Sequence, residues 1–387
     1  MDESNAFLDR MENLGREFAR KAAEHDGSDT FVASNYPSLK EAKFFSALIP
    51  KDLGGGGIPH SVMCQALRRL ARHCGSTALS LSMHSHLAAF QVFNHMQGKP
   101  TRPFLEKVAA QQLVLVSTGA NDWLASNGKA ERAEGGYRIT GRKGFASGSP
   151  AGDFLLTSVP WNDPAEGWQV LHFAVPFNSP GVKILDDWKT LGMRGTGSNS
   201  VSLEGVFIPD AGISMRRPRG TFHPAFMIIT TLACPLIASV YVGLAEAAAA
   251  LAREQARRRP LEAGTPFLLG EMENELTAAQ LAADSIVGLA NDYGFTPSPE
   301  TSNKVLIRKT LAVKAALAAG EKALEVSGGA GFYRPSGLER IVRDLHAGQF
   351  HPLSEKRQTL LTGRLALGLD AVEAAVFAAE GEAALKA

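Results

Sequence analysis

The chain has 387 residues, 45% of them apolar and 20% charged, with a formal net charge of +1. That length exceeds one ordinary core and predicts two or three domains, and the near-neutral balance excludes a general attraction to nucleic acid or anionic membrane. Three scattered cysteines, Cys64, Cys74 and Cys234, make neither a disulfide framework nor a metal-ligand array, which predicts no metal site and a reducing, cytoplasmic setting.

The first segment, MDESNAFLDRMENLGREFARKAAEHDG, alternates charged and apolar residues at helical spacing and lacks the apolar core of a signal peptide. Residues 1–112 read as a helical domain, with SVMCQALRRLARH a second amphipathic stretch. Between them KDLGGGGIPH (51–60) is a glycine-rich loop, and Ser61 is expected to cap the next helix. The spacing of its glycines does not fit a dinucleotide fingerprint. From 113 to 220 short β-rich runs (LVLVSTG, YRITGRKGFASG, DFLLTSVP, QVLHFAVP, VSLEGVFIP) are separated by Gly, Pro, Asn and Asp, which predicts an antiparallel sandwich or barrel.

From 221 to 387 the chain is alanine-rich and helical, with expected helices at 226–258, 268–293, 301–328 and 354–383, a four-helix bundle. FMIITTLACPLIASVYVGLA (226–245) is long and uncharged enough to cross a membrane, but it contains Pro235 and runs on into EAAAALAREQARRRP, so a buried bundle helix is the reading. The basic clusters RRPR (216–219) and ARRRP (256–260) are solvated faces by default, with a phosphate-bearing small molecule as the alternative.

The order helices, β-domain, bundle is joined by five local stretches: LIPKDLGGGG, YRITGRKGFASGSPAGDFLLTS, LGMRGTGSNSVSLEGVFIPD, GGAGFYRPSGLERIVRD and TGRLALG. Together they resemble the acyl-CoA dehydrogenase superfamily along nearly the whole chain. The resemblance implies an α+β fold of three domains, a flavin (FAD, with FMN possible) held between the β-domain and the bundle, and a homotetramer or homodimer. It places Phe145 of RKGFASG against the flavin ring, where an aromatic plane excludes water, and Ser147 near flavin N5, where a hydroxyl can donate or accept. Thr118 falls on the threonine lining the pyrimidine end, although Gly119 and Ala120 replace the residues the family has next. Gly328 and Gly329 match the glycine pair that lets backbone approach the cofactor's phosphates across a subunit interface, Arg259 matches the arginine that contacts the neighbouring subunit's cofactor phosphates, and Ser354 joins the cofactor-binding set. The ordinary alternatives are a core phenylalanine, turn serines and an interhelical glycine turn. Leu261, Glu262 and Glu325 depart from the family pattern, and a carboxylate at 325 is repulsive to a pyrophosphate unless compensated.

A dehydrogenase of this family removes an α-proton with a glutamate. One family position for that base is occupied here by Pro352, within QFHPLSEKRQ, and the other by Ala233. Glu355 lies one helical turn beyond Pro352 but also has the place of a helix N-terminal acid. The superfamily's oxygen-using branches need no such base. They need a dry cavity, a hydroxyl and proton-carrying histidines, and here Ser147, His351 and His86 (with His84 as second choice in SMHSH) supply the candidates. A local cap for His351 and a core role for His86 are the structural alternatives. The expected function is therefore an oxygenase using a reduced-flavin/O2 adduct on a CoA thioester or small organic substrate, with O2 and a flavin reductase as partners. An acyl-CoA dehydrogenase with Glu355 or His351 as atypical base, and a catalytically silent flavoprotein, remain open at this point.

Overall fold

The computed structural model describes residues 3–118, 122, 124–260 and 262–373. Gly119, Ala120, Leu261 and the tail of the last expected helix lie outside the described residues. Helices α1 (Glu3–Gly27), α2 (Tyr36–Glu41), α3 (His60–Ala71), α4 (Gly75–Met96) and α5 (Arg102–Gln111) come first. Eight strands follow: β1 (Leu115–Ser117), β2 (Lys129–Ala133), β3 (Gly136–Lys143), β4 (Phe154–Asp163), β5 (Gly167–Pro176), β6 (Val182–Ile184), β7 (Val201–Pro209) and β8 (Ile213–Pro218). The chain closes with α6 (Pro224–Arg257), α7 (Thr265–Ala290), α8 (Pro299–Ser327), the short α9 (Gly329–Phe332), α10 (Leu338–His346) and α11 (Glu355–Ala366).

The strands form two four-stranded sheets, ordered β1-β4-β5-β8 and β2-β3-β7-β6. Pairing is antiparallel except for β1 beside β4, which run parallel because the long excursion through β2 and β3 brings the chain back in the same direction. Alternation of buried and exposed residues along β7 turns Val201, Leu203, Val206 and Ile208 into the core.

The central helices are apolar all round, which is the pattern of helices packed on every side. In α6 the apolar run 226–245 is buried almost throughout, its most membrane-like window being 94% buried inside the protein. His223 starts α6 by accepting the Ala225 N–H on Nδ1 at 3.2 Å, and Ser298 starts α8 by accepting the Thr301 N–H at 3.1 Å. Ser61 does not act as a cap as expected. Helix α3 begins at His60 after Pro59, and the Ser61 N–H and hydroxyl both donate to Asp292 at 2.7 and 2.9 Å, a partner distant in sequence that local pattern cannot supply.

Two glycines show where the layers meet most closely. A Cβ on Gly243 of α6 would sit 2.2 Å from the Arg68 carbonyl oxygen of α3. A Cβ on Gly192 would meet the Arg343 carbonyl oxygen, also at 2.2 Å, where the 188–199 loop rests on α10. Gly243→Ala is expected to lower stability by about 3 kcal/mol, the upper end for overpacked cores. Urea denaturation checks this, and an unchanged midpoint would contradict the close crossing.

Candidate active site

The β3 strand ends at Lys143, and the following Gly-Phe-Ala-Ser turn leaves the sheet with Phe145 at φ 57°, a left-handed conformation uncommon for a bulky residue. That turn holds the Phe145 ring 43% exposed, edge-on to Trp188 at 5.7 Å between centroids. Trp188 is fixed by its indole N–H, which donates to the Met193 carbonyl at 3.1 Å. Two residues after Phe145, Ser147 Oγ lies 2.7 Å from Ser198 Oγ, and Ser198 Oγ lies 2.7 Å from Thr196 Oγ1. Thr196 donates in turn to the Met193 carbonyl at 2.8 Å. With the Thr196 proton on that carbonyl, Ser198 donates to Thr196 and Ser147 to Ser198, so Ser147 keeps acceptor capacity toward the open side.

His351 lies in extended backbone just before α11 and is held by two residues that pattern reading did not single out. Its Nε2 is 2.8 Å from the hydroxyl of Tyr241, a buried residue of α6, and the two rings meet edge-on with centroids 5.5 Å apart. The buried Lys309 of α8 donates to the His351 carbonyl and to the Leu353 carbonyl, both at 2.8 Å. Burial lowers the His351 pKa to about 3, with the charges of Lys309 and His86 acting in the same direction. His86, on α4, is buried, and burial lowers its pKa to about 4 against the opposing pull of the Ser82 carbonyl one helical turn back, to which Nδ1 makes no hydrogen bond of good geometry. Both imidazoles are neutral at physiological pH. A neutral imidazole offers one donor and one acceptor.

His84, the second choice in the same helix, is committed to structure. Its Nδ1 accepts the Leu115 N–H at 3.0 Å and its Nε2–H donates to the Phe45 carbonyl at 2.7 Å. The helical repeat separates the two: His84 and His86 are not on one face, so only one can turn toward a shared site. Glu355 is on the surface, ion-paired with Lys314 at 2.9 Å, and that hydrogen bond holds its carboxyl below the usual range. It is a helix N-terminal acid, which removes it as the atypical base. Ala233 and Pro352 carry no ionisable group at the two family positions.

Thr118 is buried, and its hydroxyl is spent inside the β-domain, donating to Asp122 Oδ2 at 2.6 Å beside Thr157 at 2.6 Å. Any cofactor contact from Thr118 would use its main chain. Ser354 occupies the N-cap position of α11 without a side-chain cap bond, leaving its hydroxyl uncommitted to the helix.

At the far end of α6, Arg259 donates to the Ser327 carbonyl, and its guanidinium lies 3.4 Å from where a Cβ on Gly328 would be. Gly328 has φ 58° and ψ −154°, a conformation open to glycine, and both Gly328 and Gly329 are exposed. Glu325 is ion-paired with Lys322 at 2.9 Å, and Lys322 also meets Glu271 at 2.7 Å. One lysine thus serves two carboxylates, and the charge of Glu325 is only partly offset. An exposed aromatic plane with a hydroxyl chain behind it, and a cation beside an open glycine pair, fit a flavin: Phe145 and Ser147 would hold its ring, and Arg259, Gly328 and Gly329 the phosphates of one bound by a neighbouring subunit.

Fold and site together define a flavin-dependent oxidoreductase with no glutamate at positions 233 and 352. The chain belongs to the acyl-CoA dehydrogenase superfamily: residues 1–112 match the acyl-CoA dehydrogenase N-terminal domain and residues 235–355 the acyl-CoA dehydrogenase C-terminal domain. It is 26% identical to the putative acyl-CoA dehydrogenase YdbM of Bacillus subtilis, over 91% of this chain and 94% of that protein. It is 25% identical to the amino sugar nitrososynthase DnmZ of Streptomyces peucetius, over 89% of each. It is 26% identical to the dibenzothiophene monooxygenase of Rhodococcus erythropolis, again over 89% of each. The structure of KijD3 in complex with FMN and a dTDP-linked amino-keto sugar matches the fold with a TM-score of 0.87 at 24% identity, covering 96% of this chain and 95% of that one. A nitrososynthase and a monooxygenase thus stand among the relatives beside a putative dehydrogenase.

Proposed function

We propose that this protein is a flavin-dependent monooxygenase that transfers one atom of O2 to a small organic molecule, rather than an enzyme that desaturates an acyl-CoA. The observation that supports this reading is the pair of neutral histidines, the buried His86 and the partly buried His351, in a chain whose two family base positions are Ala233 and Pro352 and whose candidate replacement, Glu355, is tied to Lys314. Abstraction of an unactivated α-proton needs a strong, positioned base. Oxygen transfer can instead be served by neutral hydrogen-bond donors aimed at the oxygen that takes up charge, in a site closed to water.

The overall reaction consumes the substrate, O2, two electrons and two protons, and yields the oxygenated product and water. A bound flavin, FAD or FMN, supplies the two-electron reduction of O2. Phe145 would shield the flavin ring from water, Ser147 would offer a hydroxyl backed by Ser198 and Thr196, and the neutral imidazoles of His351 and His86 would offer N–H donors to substrate and oxygen. The two oxygenating relatives take substrates named for an amino sugar and for dibenzothiophene, which supports a nitrogen or sulfur nucleophile as substrate class. A separate reductase delivers the electrons. Phe332 and Tyr333, 80% and 71% exposed beside Gly328 and Gly329, support assembly into a homodimer or homotetramer.

The test mixes the oxidised flavoprotein anaerobically with a panel of acyl-CoA thioesters, then supplies reduced flavin, air and candidate amines or thiophenes. No bleaching in the first arm and a product heavier by one oxygen in the second are expected. Direct flavin reduction by an acyl-CoA would overturn the reading. In the second arm His351→Ala and His86→Ala are each expected to lower turnover about 100-fold, the lower end for loss of a donor to developing charge.

A further inference from the structure

We propose that Tyr241 is a positioning residue for His351: its hydroxyl donates to Nε2 and so holds the imidazole as the Nδ1–H tautomer, presenting one defined donor at the reacting end. The role in turnover rests on the reading of His351 given above; the tautomer does not.

The geometry assigns the donor. Tyr241 lies in the middle of α6, almost wholly buried, and the partner of its hydroxyl among the described residues is His351 Nε2 at 2.8 Å. A buried hydroxyl must place its proton on an acceptor, and a buried donor without one is costly. Were Nε2 protonated, its proton and the phenol proton would compete for one contact, and the phenol proton would be stranded. The other arrangement satisfies both groups. Burial, with the nearby Asp344 charge, raises the phenol pKa well above its ordinary value, so Tyr241 remains a donor at any pH the fold survives. Lys309 faces the loop from α8 and His86 from α4, and both oppose a second proton on the ring.

The loop is seated to keep this contact. Lys309 grips the carbonyls of His351 and Leu353, on either side of Pro352. Gly348, in the turn before His351, lies against the Tyr241 ring, where a Cβ would come within 3.2 Å of Cδ1 and 2.8 Å of Val313. Backbone clamp and phenol together fix where the imidazole sits and which nitrogen carries its proton. The remaining nitrogen, Nδ1, is left for substrate or cofactor chemistry.

The experiment is nitrogen-15 NMR of the purified protein labelled at histidine, with the His351 signals assigned by their loss in His351→Gln. A protonated Nδ1 and unprotonated Nε2 are expected in the unaltered protein, and this measurement needs no variant of Tyr241. In Tyr241→Phe, which keeps the ring, the two tautomers are expected to become comparably populated. Oxygenation in that variant is expected to lose kcat on the order of tenfold, as when an orienting partner is removed, with KM within about twofold. A protonated Nε2 in the unaltered protein, or an unchanged Nδ1–H signal in Tyr241→Phe, would overturn the assignment whatever the activity. Unchanged turnover in His351→Ala would instead remove the functional reading on which the role depends, leaving the tautomer to be judged by NMR alone.

Discussion

Lys143→Met is expected to destabilise the protein by about 3–5 kcal/mol, the cost of removing one partner from a buried ion pair. The Lys143 ammonium is fully buried in the β-domain and lies 2.9 Å from Asp122 Oδ1. It also donates to the Asn127 carbonyl at 2.7 Å, to Asn127 Oδ1 at 2.8 Å and to the Ser158 carbonyl at 2.5 Å. Asp122 gathers hydroxyl donors from Thr118, Ser126 and Thr157 at 2.6, 3.3 and 3.1 Å. Burial lowers the lysine pKa, Asp122 opposes that shift, and the pair holds together because every member is satisfied. Methionine leaves the carboxylate and three acceptors without their cation. Asp122→Asn in the same chain should recover part of the loss, with a coupling of roughly 2 kcal/mol in a double-mutant cycle. Denaturant titration of the four proteins measures it. Additive losses would show that the charges do not depend on one another.

The second expected result is steep acid lability below pH 6.5. Burial lowers the pKa of His84 and His86 to about 4 and of His172 and His351 to about 3. A depressed pKa means that the unfolded chain binds protons the folded chain refuses. Stability from these groups is therefore fully present above the unfolded value near 6.5, and is lost as pH falls from there toward the folded values. Each histidine contributes about 1.4 kcal/mol of loss per pH unit in that window, or about 3 kcal/mol by pH 4. Asp344 acts in the opposite sense. Burial raises its pKa to about 6, so the folded state holds a proton between about 4 and 6 that the unfolded state releases. That contribution is present in acid and lost as pH rises through 6, and it offsets about one histidine. The net slope is still that of roughly three protons, enough to exhaust a typical stability before pH 4. Unfolding free energy measured in urea between pH 7 and 5 tests this, and a flat profile would contradict the buried neutral histidines. Above pH 7 Asp344→Asn should raise the melting temperature, because the amide oxygen still accepts the Met193 N–H without a buried charge.

Much of the architecture could be read along the chain because it depends on local pattern. Amphipathic α1 and α3, the punctuated β-runs and the long apolar α6 all carry their period in their own residues. The membrane-like stretch was resolved by its context, Pro235 and its continuation into charge, and the structure buries it among helices. The all-antiparallel reading of the strands missed the β1–β4 pair, since strand direction depends on where a distant return leg lands. Ser61 failed as a cap for the same reason: Asp292 competes for it from across the fold.

At the site, the empty base positions were legible because absence of a glutamate is a property of residue type alone. Sequence by itself determined the helical, β and bundle order, the flavin-family signature, and the chemical poverty of positions 233 and 352. Only the tertiary structure separated His86 from His84, sent Glu355 to Lys314, and gave His351 its two holders, Tyr241 and Lys309, from α6 and α8. A tyrosine in an apolar helix and a lone buried lysine look like packing until a loop from elsewhere is laid against them. Which nitrogen carries a proton, and which charge is compensated, are decided by contacts between residues far apart in the chain, and no local period encodes those.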